Sequence, residues 1–132
     1  MSSGGGFRLV DPSGESPNYV KAGEAFFFVP PDLKLAEKLY SEALEDLISS
    51  NTCNMLGRCY TLNNVPVKAV VLLTQATIMN PKHPYAAANL ALALHANGLT
   101  DEAINQAHRA LENPDISDFG KNELKNLLNR IQ

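Results

Sequence analysis

The chain has 132 residues, 45% of them hydrophobic and 19% charged, with a formal net charge of −3. That length fits one domain with a core of its own, without metal or disulfide support. The mildly acidic balance excludes the electrostatic footprint of a nucleic-acid binder or of a protein held on an anionic membrane surface.

In chain order, Met1 to Gly6 carries no basic start followed by an apolar run, so it is not a secretory signal. Residues 1 to 16 read as a flexible tail, rich in Gly, Ser and Pro, with one apolar segment, Phe7-Arg8-Leu9-Val10. A first helix is expected over about Asn18 to Phe28, stopped by Pro30-Pro31, with Asp32 capping the next. The second covers about Leu33 to Ser49. Leu35, Leu39, Leu44 and Leu47 are among its expected buried positions, and Glu37, Glu42, Glu45 and Asp46 form a solvated face. The third spans about Asn51 to Leu62, turning at Asn63-Asn64, and the fourth runs from Pro66 to about Asn80-Pro81. The fifth covers about Pro84 to Asn97 and ends at Gly98. Thr100 is the expected cap of the sixth, which reaches about Asn113. In Ser117 to Ile131, Leu124, Leu127, Leu128 and Ile131 recur at helical spacing, so a seventh helix has one apolar stripe. Its other face is Lys121, Asn122, Lys125, Asn126, Asn129 and Arg130. The apolar stretches Ala25 to Pro31 and Val65 to Leu73 are too short to span a membrane, so no membrane insertion and a cytoplasmic location are expected.

A repeat underlies these helices. Leu56-Gly57-x-x-Tyr60 is followed by Ala69, Leu73, Ala76 and Pro81; a shift of 34 residues gives Ala91, Leu94, Ala103, Ala107 and Ala110, with Pro114 one place short. Going back 34 residues from Gly57 and Tyr60 gives Gly23 and Phe26. Gly23 to Ala36 is thirteen residues where the later copies have twelve, so one residue is extra in the turn around Phe28 to Asp32. Small residues stand where paired helices approach and large ones fill between them, so each copy needs its neighbour to bury its faces.

The pattern resembles the tetratricopeptide repeat (TPR) family over roughly residues 18 to 115. The resemblance implies an all-α fold: a right-handed α-solenoid of three helix pairs, about 17–49, 50–83 and 84–115, closed by a capping helix at about 117–131. It also implies a concave groove lined by the first helix of each pair. Taking Ser16, Ser50 and Pro84 as first positions, the lining is Val20, Glu24, Phe27 and Phe28; then Asn51, Asn54, Arg58, Thr61 and Leu62; then Tyr85, Ala88, Leu92, His95 and Ala96. For Phe27 and Phe28 the alternative is ordinary packing against helix two or the N-terminal segment. For Arg58 it is a solvated or salt-bridged surface position. Some members of the family hold a chaperone's C-terminal carboxylate with several Lys, Arg and Asn residues. Asn54, Arg58 and Asn89 match that set in part, but residues 84 to 97 contain no Lys or Arg.

No catalytic or metal-binding constellation stands out, and no cofactor is expected. His83, His95 and His108 form no i, i+3 or i, i+4 pair with another His or Cys. His83 and His108 read as solvated surface residues, and His95 as groove lining. Gly4-Gly5-Gly6 precedes no strand or lysine-bearing helix, so it is not a phosphate loop. Cys53 and Cys59 are turned about 240° apart on one helix, which suits two buried thiols rather than a disulfide.

The groove mixes apolar side chains with Asn51, Asn54 and Arg58, which can hold a peptide backbone or one carboxylate while apolar pockets select side chains. The leading expectation is therefore a non-enzymatic adaptor for a protein or peptide partner. Two others stand beside it: a dedicated chaperone or assembly factor for secreted or appendage subunits, and a self-associating structural module, a homo-oligomer in which Phe7 to Val10 docks into a groove.

Overall fold

Residues 14–132 are described by a computed structural model, as seven helices: α1 (Pro17–Phe26), α2 (Leu33–Asp46), α3 (Ser50–Leu62), α4 (Pro66–Met79), α5 (Ala86–Ala96), α6 (Thr100–Leu111) and α7 (Asp118–Ile131). The Phe7 to Val10 segment lies outside the described residues. Helices α1 and α2, α3 and α4, and α5 and α6 pack as pairs; α3 also touches α5, and α5 touches α7. Three-residue turns between α3 and α4 and between α5 and α6 leave each pair antiparallel. The first helices of the pairs form one layer and the second helices another, as in a helical-repeat solenoid.

Local chemistry sets the boundaries. Ser16, Asp32, Ser49 and Ser117 each accept an N–H of the first turn they precede, at Tyr19, Leu35, Thr52 and Gly120. Asn64 (φ 64°) and Gly98 (φ 80°) stand 34 residues apart, both left-handed, just after α3 and α5. In each case the following residue donates back into the helix, Val65 to the Tyr60 carbonyl and Leu99 to the Leu94 carbonyl.

Several expectations are corrected. Helix α1 stops at Phe26, two residues early, and the turn to α2 takes Phe27 to Asp32, the segment holding the extra residue. Thr100 is the first helical residue of α6 rather than its cap, and no side chain caps that helix. Leu35 is exposed and Leu39, Leu44 and Leu47 are only half-buried; Ala36, Tyr40 and Ala43 are the buried residues of α2. Ala36 and Tyr40 take the contact with α1, and Leu39 and Leu44 pack beside them. Glu15 and Ser16, at the end of the expected loose tail, are buried. Glu37 and Asp46 are not simply solvated, since they accept hydrogen bonds from Asn63 and Asn18.

Packing follows a size rule across the repeat. At Gly57 a Cβ would come within 2.6 Å of Leu73 Cγ, so α3 and α4 close up only because that position is bare. The corresponding pairs are Gly23 with Tyr40 and Ala91 with Ala107: the larger second-helix residues face glycine, the small one faces alanine. Leu73, Ala91 and Ala107 are fully buried, and Tyr40 is 1% exposed. Cys53 and Cys59 are free and buried within this interior. Burial, reinforced by Glu37 and opposed by Arg58, pushes the Cys59 thiol up to about 12. Burial raises Cys53 as well.

Candidate functional site

Arg58 occupies the centre of the concave face. It comes from the third turn of α3, where its stem lies beside the groove and its guanidinium reaches across it. Nη1 donates to Asn89 Oδ1 on α5 at 2.9 Å, and Asn89 Nδ2 donates to Asn54 Oδ1 at 2.8 Å. Asn54 and Asn89 are both buried, so each amide is satisfied by its partner rather than by water. The guanidinium carbon lies 5.8 Å from the Phe26 ring centre and 5.3 Å from that of Phe119, on α7. Three helices thus fix one cation.

Two cavities meet at this cation. The larger, about 580 Å³, is lined by Tyr19, Val20, Gly23, Phe27, Tyr40, Asn54, Met55, Arg58, His83, Tyr85, Asn89 and Phe119. Its wall is mainly aromatic and aliphatic, and its size falls in the range that accepts a bulky side chain or small ligand. The smaller, about 270 Å³, is lined by Arg58, Thr61, Leu62, Asn89, Leu92, His95, Glu123 and Arg130. It carries two guanidinium groups, a carboxylate, an amide and a hydroxyl. His95 Nδ1 is buried and without a hydrogen bond.

Most of the expected lining residues open onto these cavities. Val20, Phe27, Asn54 and Tyr85 line the larger; Thr61, Leu62, Leu92 and His95 line the smaller; Arg58 and Asn89 line both. Glu24, Phe28 and Ala96 are exposed outside them. Ala88 is buried with Leu124 and Leu127 under α7. Asn51 is engaged elsewhere, as described next.

His83 departs most from expectation. It is buried at 5% exposure, not solvated. Its Nδ1 accepts the N–H groups of Tyr85 and Ala86, supplying the cap that the N-cap residue of α5 lacks. An accepting Nδ1 leaves the proton on Nε2, which therefore donates to Asn51 Oδ1 at 2.9 Å. Asn51 Nδ2 donates in turn to Glu15 Oε2, while Ser49 and Thr52 donate to Glu15 Oε1. Burial holds His83 below the ordinary histidine value. His108 is exposed.

Eight lining residues escaped sequence reasoning: Tyr19, Gly23, Tyr40, Met55 and His83, and three from α7, Phe119, Glu123 and Arg130. Ser117 holds the start of α7 to the Pro84 carbonyl through its N–H at 3.3 Å, and Gly120 fits against Ile116, Ser117 and Pro84. That seat brings Phe119 over Arg58. The available signal was positional: a helix packed in line with α1, α3 and α5 presents part of its polar side to the groove.

Among the described residues no helix is long and apolar enough to cross a membrane, and no group of three or more His, Cys, Asp or Glu side chains is placed to hold a metal ion. By sequence the chain matches no family model and no curated protein. Its fold is similar to the crystal structure of the Sgt2 TPR domain from Aspergillus fumigatus, with a TM-score of 0.77 at 21% identity, over 96% of this chain and 85% of that one. Among the described residues, three stacked helix pairs and a seventh helix, following the 34-residue pattern, have the architecture of a tetratricopeptide-repeat array.

Proposed function

We propose that this chain is a non-enzymatic, cytoplasmic adaptor that holds an extended peptide segment of a partner protein in its concave groove. The observation that carries the reading is the shared wall between the two cavities. Asn89 and Asn54 hold Arg58 at the junction, and its remaining guanidinium N–H groups can donate to a peptide carbonyl or one carboxylate there. The larger cavity then takes a bulky apolar side chain, and the smaller takes a polar one, with Arg130 and Glu123 at its rim. Arg58 is positioned before any ligand arrives, so little ordering entropy is lost on binding.

Affinity capture with the wild type and with an Arg58→Ala, Leu92→Asp double variant tests this. The partner recovered by the wild type is lost from the variant; equal recovery removes the groove as the binding surface.

One observation favours a second reading, a chaperone or assembly factor. Phe27, Phe28 and Val29, in the turn after α1, are 71%, 67% and 88% exposed, and Phe27 lines the larger cavity, an apolar edge suited to a client's unassembled strand or helix. Co-expression with a secreted or appendage subunit encoded nearby then raises that subunit's solubility; unchanged solubility counts against it.

A further inference from the structure

The outward face of α4 carries apolar side chains that the fold does not need. Its one charged residue is Lys68. Val67, Val71 and Ile78 are 62%, 65% and 68% exposed, and their spacing sets them in one stripe. The repeat provides its own control. Ala36, Ala69 and Ala103 are equivalent positions, all fully buried. Counted from them, Val67 corresponds to Lys34 in α2 and Asp101 in α6, Val71 to Lys38 and Asn105, and Ile78 to Glu45 and Glu112. All of these positions are exposed. The flanking repeats fill them with polar or charged side chains, so packing of the array does not demand an aliphatic residue there. Exposed Thr74 and Gln75 interrupt the stripe between Val71 and Ile78, but three aliphatic side chains on one solvent face, where both flanking repeats are polar, mark a contact surface.

We propose that this stripe joins two copies of the chain, α4 against α4, through their outer faces. The charges beside it point to a second copy. Helix α2 begins with Lys34 and Lys38 and ends with Glu42 and Glu45; α6 begins with Asp101 and Glu102 and ends with His108 and Arg109. The two orders are reversed. A twofold axis running along α4 sets α2 of one chain beside α6 of the other, with Lys34 level with Asp101 and Glu42 level with Arg109. Each unlike pair then occurs twice, against one repeated like pair, Glu45 with Glu112. A self-complementary patch of this kind is what a twofold contact requires. The stripe covers on the order of a few hundred Å², short of the roughly 800 Å² per partner of a stable interface. The flanking charges must therefore contribute, and the dimer is weak and sensitive to salt.

Sedimentation velocity of the full chain over a wide concentration range, at low and high salt, tests this. The wild type is expected to move from monomer to dimer with concentration, less so in high salt. Val71→Lys is expected to dimerise roughly tenfold more weakly or worse. Lysine fits the fold at this position, since Lys38 occupies its equivalent, and circular dichroism checks that the variant is folded. Ile78→Glu, which matches Glu45 and Glu112 of the flanking repeats, gives an independent second variant. A wild type that stays monomeric throughout leaves the stripe to another partner and overturns the proposal. So does a folded Val71→Lys or Ile78→Glu that dimerises like the wild type, since the contact then lies elsewhere.

Discussion

Arg58 and Asn89 meet 2.9 Å apart across the groove, one on α3 and one on α5, joined by a hydrogen bond from the guanidinium to the amide oxygen. Asn89 is the buried member, and it also donates to Asn54. Asn89→Ala leaves the Asn54 carbonyl oxygen without that donor and removes a partner of a cation. It should lower unfolding free energy by about 1–3 kcal/mol in urea titrations. Asn89→Asp keeps an acceptor for Arg58 and forms a charge-assisted bond, so it should cost less than Asn89→Ala. Equal losses from both would show that Arg58 draws nothing from position 89.

His83 makes stability depend on pH. Its folded value is depressed by burial, whereas in the unfolded chain it titrates near the ordinary value of about 6.5. Between these values the unfolded state binds more protons, so stability rises with pH. The contribution is complete above about pH 6.5 and is lost as pH falls through that point toward the depressed value. Urea unfolding above and below this window should show a larger loss for the wild type than for His83→Gln, which cannot titrate. Equal pH slopes would remove His83 as the cause.

Gly57 and Leu73 form a size pair that can be inverted. Gly57→Ala alone forces its new methyl against Leu73 and should cost about 1–3 kcal/mol. Leu73→Ala alone opens a cavity and should cost about 2–5 kcal/mol. The double variant recreates the Ala91–Ala107 combination of the next repeat, so it should be more stable than the sum of the two losses implies. Strict additivity in a double-mutant cycle would contradict the size rule.

Gly98 and Asn64 share a position and a left-handed backbone. Gly98→Ala should destabilise by about 1–2 kcal/mol, because a Cβ is disfavoured at positive φ. Gly98→Asn should cost less, since Asn64 already serves there. Thermal unfolding of the two variants gives the order; an alanine as stable as asparagine would show that the turn relaxes.

The helices were legible because glycine, alanine and large residues recur at fixed spacing. Caps such as Asp32 and Ser117, and the stop at Gly98, follow from side-chain chemistry one turn long. The groove was legible to the extent that one face of α3 and α5 can be counted out. His83 was not, because its burial depends on Asn51 and Glu15, which only the folded array brings to it. A histidine two residues before the first N–H groups of α5 was the local clue. Phe119, Glu123 and Arg130 were hidden because α7 has no repeat motif to fix its facing. Leu35 misled because period alone does not say whether leucine or alanine takes the contact between helices.

The hydrogen bonds from Glu15 through Asn51 to His83 reach past nearest neighbours. Stacked arrays ordinarily unravel from their ends, one unit at a time. Here the residue just ahead of the opening helix is laced to the beginning of the third pair. Peeling away the leading edge therefore loosens the middle as well, and the array is biased toward melting in a single step.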